Sequence, residues 1–367
     1  MIPISSKEQI TNSQAAVIII NYILASGILT LPRTLVEEMN TPDGWISVFL
    51  GGIVATLMGI IMVKLSQRFP VKTFYQYNQD IIGKWAGRLI SLILIVYFSS
   101  LSALEIRVMG EVTSFFLLEG TPMWAIIIPF IWIGFFLILG GITSIARLFE
   151  IILPITIILF LVVSLMSLKI FELDNLRPVL GKGIIPVLKG IRTTTLAFSG
   201  TEIMLLLLAF MEHPKKGVKA VFVGVSIPMV FYMTTFVMVI GALSTDGVVM
   251  RIWPTISLIR SYELPGLIFE RFESLLLVIW IMQIFSSYTI TYYAASLGLS
   301  QILKKNIRLP LFGLLPVIYI LAMVPKTLKD LSTMGKFIST SGLWFFSIIP
   351  LLLLIISKVR RLKHEAK

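Results

Sequence analysis

The sequence predicts an all-α polytopic membrane protein of ten transmembrane helices. They form two inverted repeats of five, with discontinuous helices 1 and 6. Three observations predict this. The 367 residues are 57% hydrophobic and only 14% charged, where soluble proteins average roughly 25% charged. Ten apolar stretches approach the roughly 20 residues that a helix needs to cross the hydrocarbon core. Two of them, the first and the sixth, are interrupted by small residues at corresponding places. An odd number of spans per half makes the second half enter from the opposite side, so helices 1 and 6 become equivalents.

The expected spans are 10–32, 44–66, 88–112, 122–142, 147–168, 190–211, 217–242, 273–300, 309–325 and 334–357. The ninth is short and carries Pro310 and Pro316. Connections are marked by Pro and Gly beside charges, as at Pro42-Asp43-Gly44, Gly120-Thr121-Pro122 and His213-Pro214-Lys215-Lys216-Gly217. Residues 1–168 form the first repeat and 190–357 the second, joined by an outer connecting loop at 169–189. Residues 358–367 form a basic cytoplasmic tail. The segment 251–273 is too polar to span and too apolar to be a free loop. It reads as an interfacial helix-turn-helix on the outer face, serving either as a lid or as a partner-docking surface.

Lys and Arg set the orientation. With the N-terminus inside, 18 of the 31 cations fall on the inner side, concentrated at Lys64–Arg88, Lys215–Lys219, Lys304–Arg308 and Lys358–Lys367. Both termini are then cytoplasmic, which an even number of spans requires. The net charge of +12 is accounted for by inner loops against an anionic leaflet, and no nucleic-acid partner is needed. The N-terminus shows no cleavable signal peptide; the first helix itself directs insertion. The absence of cysteine excludes disulfides, thiol nucleophiles and iron–sulfur sites. His213 and His364 are far apart in polar connections, so no metal site and no cofactor is expected. No phosphate-binding loop or nucleophile–His–acid set is present, so the chain is not read as an enzyme.

The chemistry is expected at the two interruptions. The first is Ala25-Ser26-Gly27-Ile28-Leu29 and the second is Phe198-Ser199-Gly200-Thr201-Glu202. Small residues there free backbone groups, which lipid tolerates only where they line a cavity or a ligand. The start of a half-helix favours a carboxylate or small anion. Close helix packing is the competing account of Ser26 and Gly27. Phe198 is placed to close over a ligand side chain. Glu202 lies at membrane depth and is a candidate for binding an ammonium group, accepting a proton or capping freed amides. Helix 3 adds Tyr97, Glu105, Arg107 and Glu111. Arg107 and Glu111 are four apart and pair on one face, which leaves Glu105 to line the pathway or find a partner on another helix. Helix 8 is unusually polar, with Gln283, Ser286, Ser287 and Thr291. These either hold a cation or bond between helices. Helix 5 has no Lys or Arg in its middle.

These blocks, Gly27-Ile28-Leu29-Thr30-Leu31-Pro32-Arg33, Tyr97 through Glu111, Phe198 through Glu202, Trp253-Pro254-Thr255 and Phe269-Glu270-Arg271-Phe272, together resemble the endospore germination permease family. Its members are the B subunits of nutrient germinant receptors, within the amino-acid/polyamine/organocation permeases. The first and third blocks are shared loosely across that superfamily; the Trp-Pro-Thr and Phe-Glu-Arg-Phe blocks are more specific. The resemblance spans essentially the whole chain. It implies a LeuT-type fold in the spore inner membrane, a small germinant, usually an amino acid, and A and C subunits as partners. It implies ligand contacts at Ala25, Ser26, Gly27 and Ile28 and at Phe198, Ser199, Gly200 and Thr201, with Tyr97 opposite. Glu105, Glu202, Gln283, Ser286 and Ser287 are the ion or coupling candidates. A proton- or sodium-coupled amino-acid transporter is the alternative function on the same fold.

Overall fold

The computed structural model describes residues 8–261 and 272–362. Fourteen α-helices are found among them. Helix α1 (Asn12–Ile23) and α2 (Gly27–Met39) form one bent span, followed by α3 (Gly44–Ser66). A short α4 (Phe74–Ile82) leads into α5 (Lys84–Phe116), α6 (Met123–Leu139) and α7 (Gly141–Ser167). The sixth span joins α8 (Ile185–Ala197) to α9 (Met204–Leu207), with 3-10 turns on either side of α9. Then come α10 (Gly217–Val249), α11 (Pro254–Arg260), α12 (Phe272–Leu303), α13 (Arg308–Met323) and α14 (Leu328–Val359). Helices α3, α5, α7, α10 and α14 are each long and apolar enough to span, and the two bent pairs pass the same test. The 17 residues of α6 and 16 of α13 reach only about 25 Å at 1.5 Å per residue. The 32-residue α12 completes ten spans in the expected order.

Burial is arranged as a bilayer demands. Phe49, Ile53 and Leu57 of α3, four residues apart, are exposed along one face, as are Ile151, Ile155 and Ile158 of α7. Exposed apolar stripes of this kind belong against lipid. The polar side chains face inward instead: Ser99, Ser102 and Glu105 of α5 and Gln283, Ser286 and Ser287 of α12 are all buried. Helices α5 and α12 pack along their length, tied where Ser102 Oγ donates to the Tyr288 carbonyl at 3.2 Å.

Local signals fix the ends. Thr11 with Gln14, Thr73 with Gln76 and Thr327 with Asp330 form reciprocal capping boxes at the starts of α1, α4 and α14. Helix α4 was not among the expected elements, because nine residues between Pro70 and Gly83 are too few to span. It buries Phe74, Tyr75 and Tyr77, and Tyr75 Oη donates to the Ala294 carbonyl of α12 at 2.9 Å. Inside α10, Ser244 leaves helical geometry (φ 58°, ψ 169°), close to where the sequence ends helix 7.

The described part of the outer segment is α11, which packs closely on the protein. Pro254, Thr255, Ile256, Leu258 and Ile259 are buried, and Arg260 lies over the Phe116 ring at 4.8 Å. Trp253 packs on Phe115 and Phe116. The rest of that segment, including Pro265, Phe269, Glu270 and Arg271, lies outside the described residues, as do Lys7 and the tail from Lys363.

Candidate ligand site at the helix breaks

The first span bends by 52° between Ile23 and Gly27 and the sixth by 45° after Ala197. The two breaks lie against each other. Gly200 has φ +141°, and a Cβ there would stand 2.7 Å from Ile23 Cγ1 and 3.3 Å from the Ile23 nitrogen. Only glycine fits both the backbone angle and the space. Leu24 and Ala25 are buried in the gap, and Ser26 caps the start of α2 without a bond from its side chain to the helix.

One residue joins both breaks and carries no sequence signal beyond a lone tyrosine in an apolar span. Tyr232 of α10 donates from Oη to the carbonyl of Ile23, the last residue of α1, and lies 3.3 Å from the carbonyl of Ala197, the last of α8. Helix ends leave such carbonyls without internal partners. Buried tyrosine hydroxyls are known to seek one, which is the clue available in the sequence. Gly27 lies directly under this hydroxyl, since a Cβ there would be 2.7 Å from Tyr232 Oη.

Two carboxylates serve the two breaks. Glu202, 2% exposed, folds back on its own break. Its Oε2 accepts from the Gly200 N–H at 2.6 Å. Its Oε1 accepts from Tyr22 Oη at 3.0 Å, Tyr97 Oη at 3.1 Å and Ser199 Oγ at 3.1 Å. Span 1, α5 and span 6 thus converge on one carboxyl group. Glu105 of α5, 5% exposed, reaches the other break, where its Oε1 accepts from Ser26 Oγ at 2.9 Å. Its Oε2 is buried with no hydrogen-bond partner. Among the described residues neither carboxylate has an ion-pair partner. Arg107, two residues beyond Glu105, is committed to Glu111 at 2.8 Å and to the Ala322 carbonyl.

The remaining expected residues divide. Phe198 is buried edge-on to Tyr232. With Ser199, Thr201 and Glu202 it lines a cavity of about 30 Å³ toward α3 and α14, room for a water or two. Ile28 lines a different, apolar cavity of about 40 Å³ beneath α11, shared with Phe160, Phe231, Thr235 and Trp280. Thr255 of α11 donates to the Ile28 carbonyl at 2.8 Å and so ties the outer segment to the start of α2. The helix-8 candidates are not hydrogen-bonded to either break. Gln283 Nε2 donates to Thr156 of α7 at 3.2 Å, Ser286 to the Met282 carbonyl of its own helix, and Ser287 Oγ is buried without a partner. Among the described residues no cluster of His, Asp and Glu could hold a metal.

Known proteins match both chain and fold. A family model described as "Spore germination protein" matches residues 9–331. The spore germination protein YndE of Bacillus subtilis (strain 168) is 57% identical over 357 residues, covering 97% of this chain and 98% of that protein. Among solved structures, MhsT in complex with L-phenylalanine superposes with a TM-score of 0.69 at 11% identity, over 95% of this chain and 89% of its own. Mhp1, a nucleobase-cation-symport-1 family transporter with bromovinylhydantoin bound, gives 0.66 at 12% identity, over 92% and 76%. These two share the fold, which is the LeuT type. The chain is a multi-pass membrane protein, and it belongs to the spore germination permease family.

Proposed function

We propose that this chain is the B subunit of a spore nutrient germinant receptor. It binds a small germinant, an amino acid, where helices 1 and 6 are broken, and the change that follows triggers germination, with ion movement as one route. A and C subunits are its partners. It resides in the spore inner membrane with both termini on the core side, and residues 1–168 and 190–357 are its two repeats. The observation that carries the reading is the meeting of the two breaks at Tyr232, flanked by two buried carboxylates on Ser26 and Gly200. Ionisable groups at membrane depth are costly and are retained where they act on a ligand or ion. The test is a thermal-shift screen of purified full-length chain with amino acids, nucleosides and sugars. A shift with one class, abolished by Gly27→Val or Gly200→Val in protein that still expresses, supports the site. Loss of expression with both variants points to packing instead.

A coupled amino-acid transporter is the second reading, favoured by the absence of ion-pair partners at Glu105 and Glu202 among the described residues. Concentrative uptake by the isolated chain in liposomes under a proton or sodium gradient would select it.

A further inference from the structure

The start of a broken half-helix is where a ligand's carboxylate would ordinarily be held, because the helix leaves N–H groups and partial positive charge there. At α2 one of the protein's own carboxyl groups already stands beside that place, on the side chain of Ser26. Glu105 accepts the Ser26 hydroxyl through Oε1 at 2.9 Å. With Glu105 ionised, a second carboxylate entering there would meet a like charge with little water to screen it.

The other oxygen of Glu105 points the opposite way chemically. Oε2 is buried and accepts nothing. The nearby donors are spent. Tyr22 and Tyr97 are bound to Glu202, Tyr232 serves the Ile23 and Ala197 carbonyls, and Arg107 serves Glu111. What is missing at Oε2 is a donor carrying positive charge. An alkylammonium group supplies one charge and three donors, enough to satisfy Oε2.

We propose that the site at the breaks recognises a protonated amine, seated on Glu105 Oε2, and that it does not require a free carboxylate on the ligand. This rests on the ligand-binding reading given above and names the ligand chemistry that the site selects.

The test uses the full-length chain in lipid nanodiscs and reads the thermal shift against three series of probes: free amino acids, their amides, which keep the amine, and their N-acetyl derivatives, which keep the carboxylate. For each amino acid that shifts the parent, the amide should act at a similar concentration. The N-acetyl compound should need at least about tenfold more. Glu105→Gln should lose the response to amine and amide by a similar factor while its melting point without ligand stays near that of the parent. Glu105→Asp, which keeps the charge, should retain the preference for amine over N-acetyl probes. An N-acetyl derivative as potent as its parent amino acid overturns the proposal, and so does a Glu105→Gln variant that responds unchanged. If Glu105→Gln fails to fold, the three probe series on the parent decide alone. No shift with any probe refutes amino-acid binding itself, and this proposal with it.

Discussion

The contact between Gly27 and Tyr232 allows a double-variant prediction with a definite sign. Tyr232→Phe removes the hydroxyl that serves the Ile23 and Ala197 carbonyls. Leaving a buried acceptor unpaired costs about 1–3 kcal/mol, so two of them, one held more weakly, give a loss of about 2–4 kcal/mol. Gly27→Ala in the parent brings a Cβ to 2.7 Å from Tyr232 Oη, with Ala197 O the next obstacle beyond the ring at 3.8 Å. The hydroxyl must then move off the carbonyls, and an overpacking cost of about 1–3 kcal/mol follows. In the Tyr232→Phe background that obstacle is gone. The nearest atom becomes Cζ at 3.5 Å, an ordinary contact. Alanine also restricts the unfolded chain more than glycine, which adds stability of about 0.4–1 kcal/mol. The double variant should therefore be as stable as Tyr232→Phe alone, or slightly more so. The two changes should couple by about 1–3 kcal/mol. Equilibrium unfolding of the four proteins in mixed micelles measures this. Additive losses, with coupling near zero, would show that Tyr232 does not sit over Gly27 and would remove the bridge between the breaks.

Three further outcomes follow from the same geometry. Gly200→Ala should destabilise by at least about 1–3 kcal/mol, because φ +141° is closed to alanine and its Cβ would meet Ile23; full stability would mean that the breaks do not touch. Glu202→Gln should cost about 1–3 kcal/mol in unfolding experiments, since one amide oxygen cannot accept from both the rigid Gly200 N–H and the three hydroxyls. Thr255→Val keeps the shape of the side chain and removes the donor to Ile28. It should cost about 1 kcal/mol and speed hydrogen exchange in 254–260, whereas unchanged exchange there would mean that α11 is held without this bond.

The span order and the two breaks were legible in the sequence because both rest on composition over many residues. About 20 apolar residues announce a span, and Ser-Gly pairs inside one announce freed backbone. Glu105 and Ser26 were each singled out, yet their union was not legible, because a bond between residues 79 positions apart is set by helix packing. Tyr232 was missed for the same reason: in an apolar run, one hydroxyl does not say which carbonyls it will meet. The polar face of helix 8 shows the converse. Ser286, Thr289 and Thr291 donate to carbonyls of their own helix, a local choice that spacing of four cannot distinguish from a lined pathway. The capping box at Thr73 and Gln76 is a readable sign of α4, a helix too short to announce itself as a span. In 251–273 the mixture of charge and aromatic residues suggested an outer lid or docking surface, and the described part, α11, packs beside α2, α10 and α12.

The central claim is that the two breaks form one ligand site. The most direct measurement is a structure of the full-length chain bound to whichever amino acid shifts its melting point most. The account predicts ligand density between Ser26–Gly27 and Ser199–Gly200, with its ammonium within hydrogen-bond distance of Glu105 Oε2. Density instead in the apolar cavity beneath α11, with the two breaks unchanged, would contradict it.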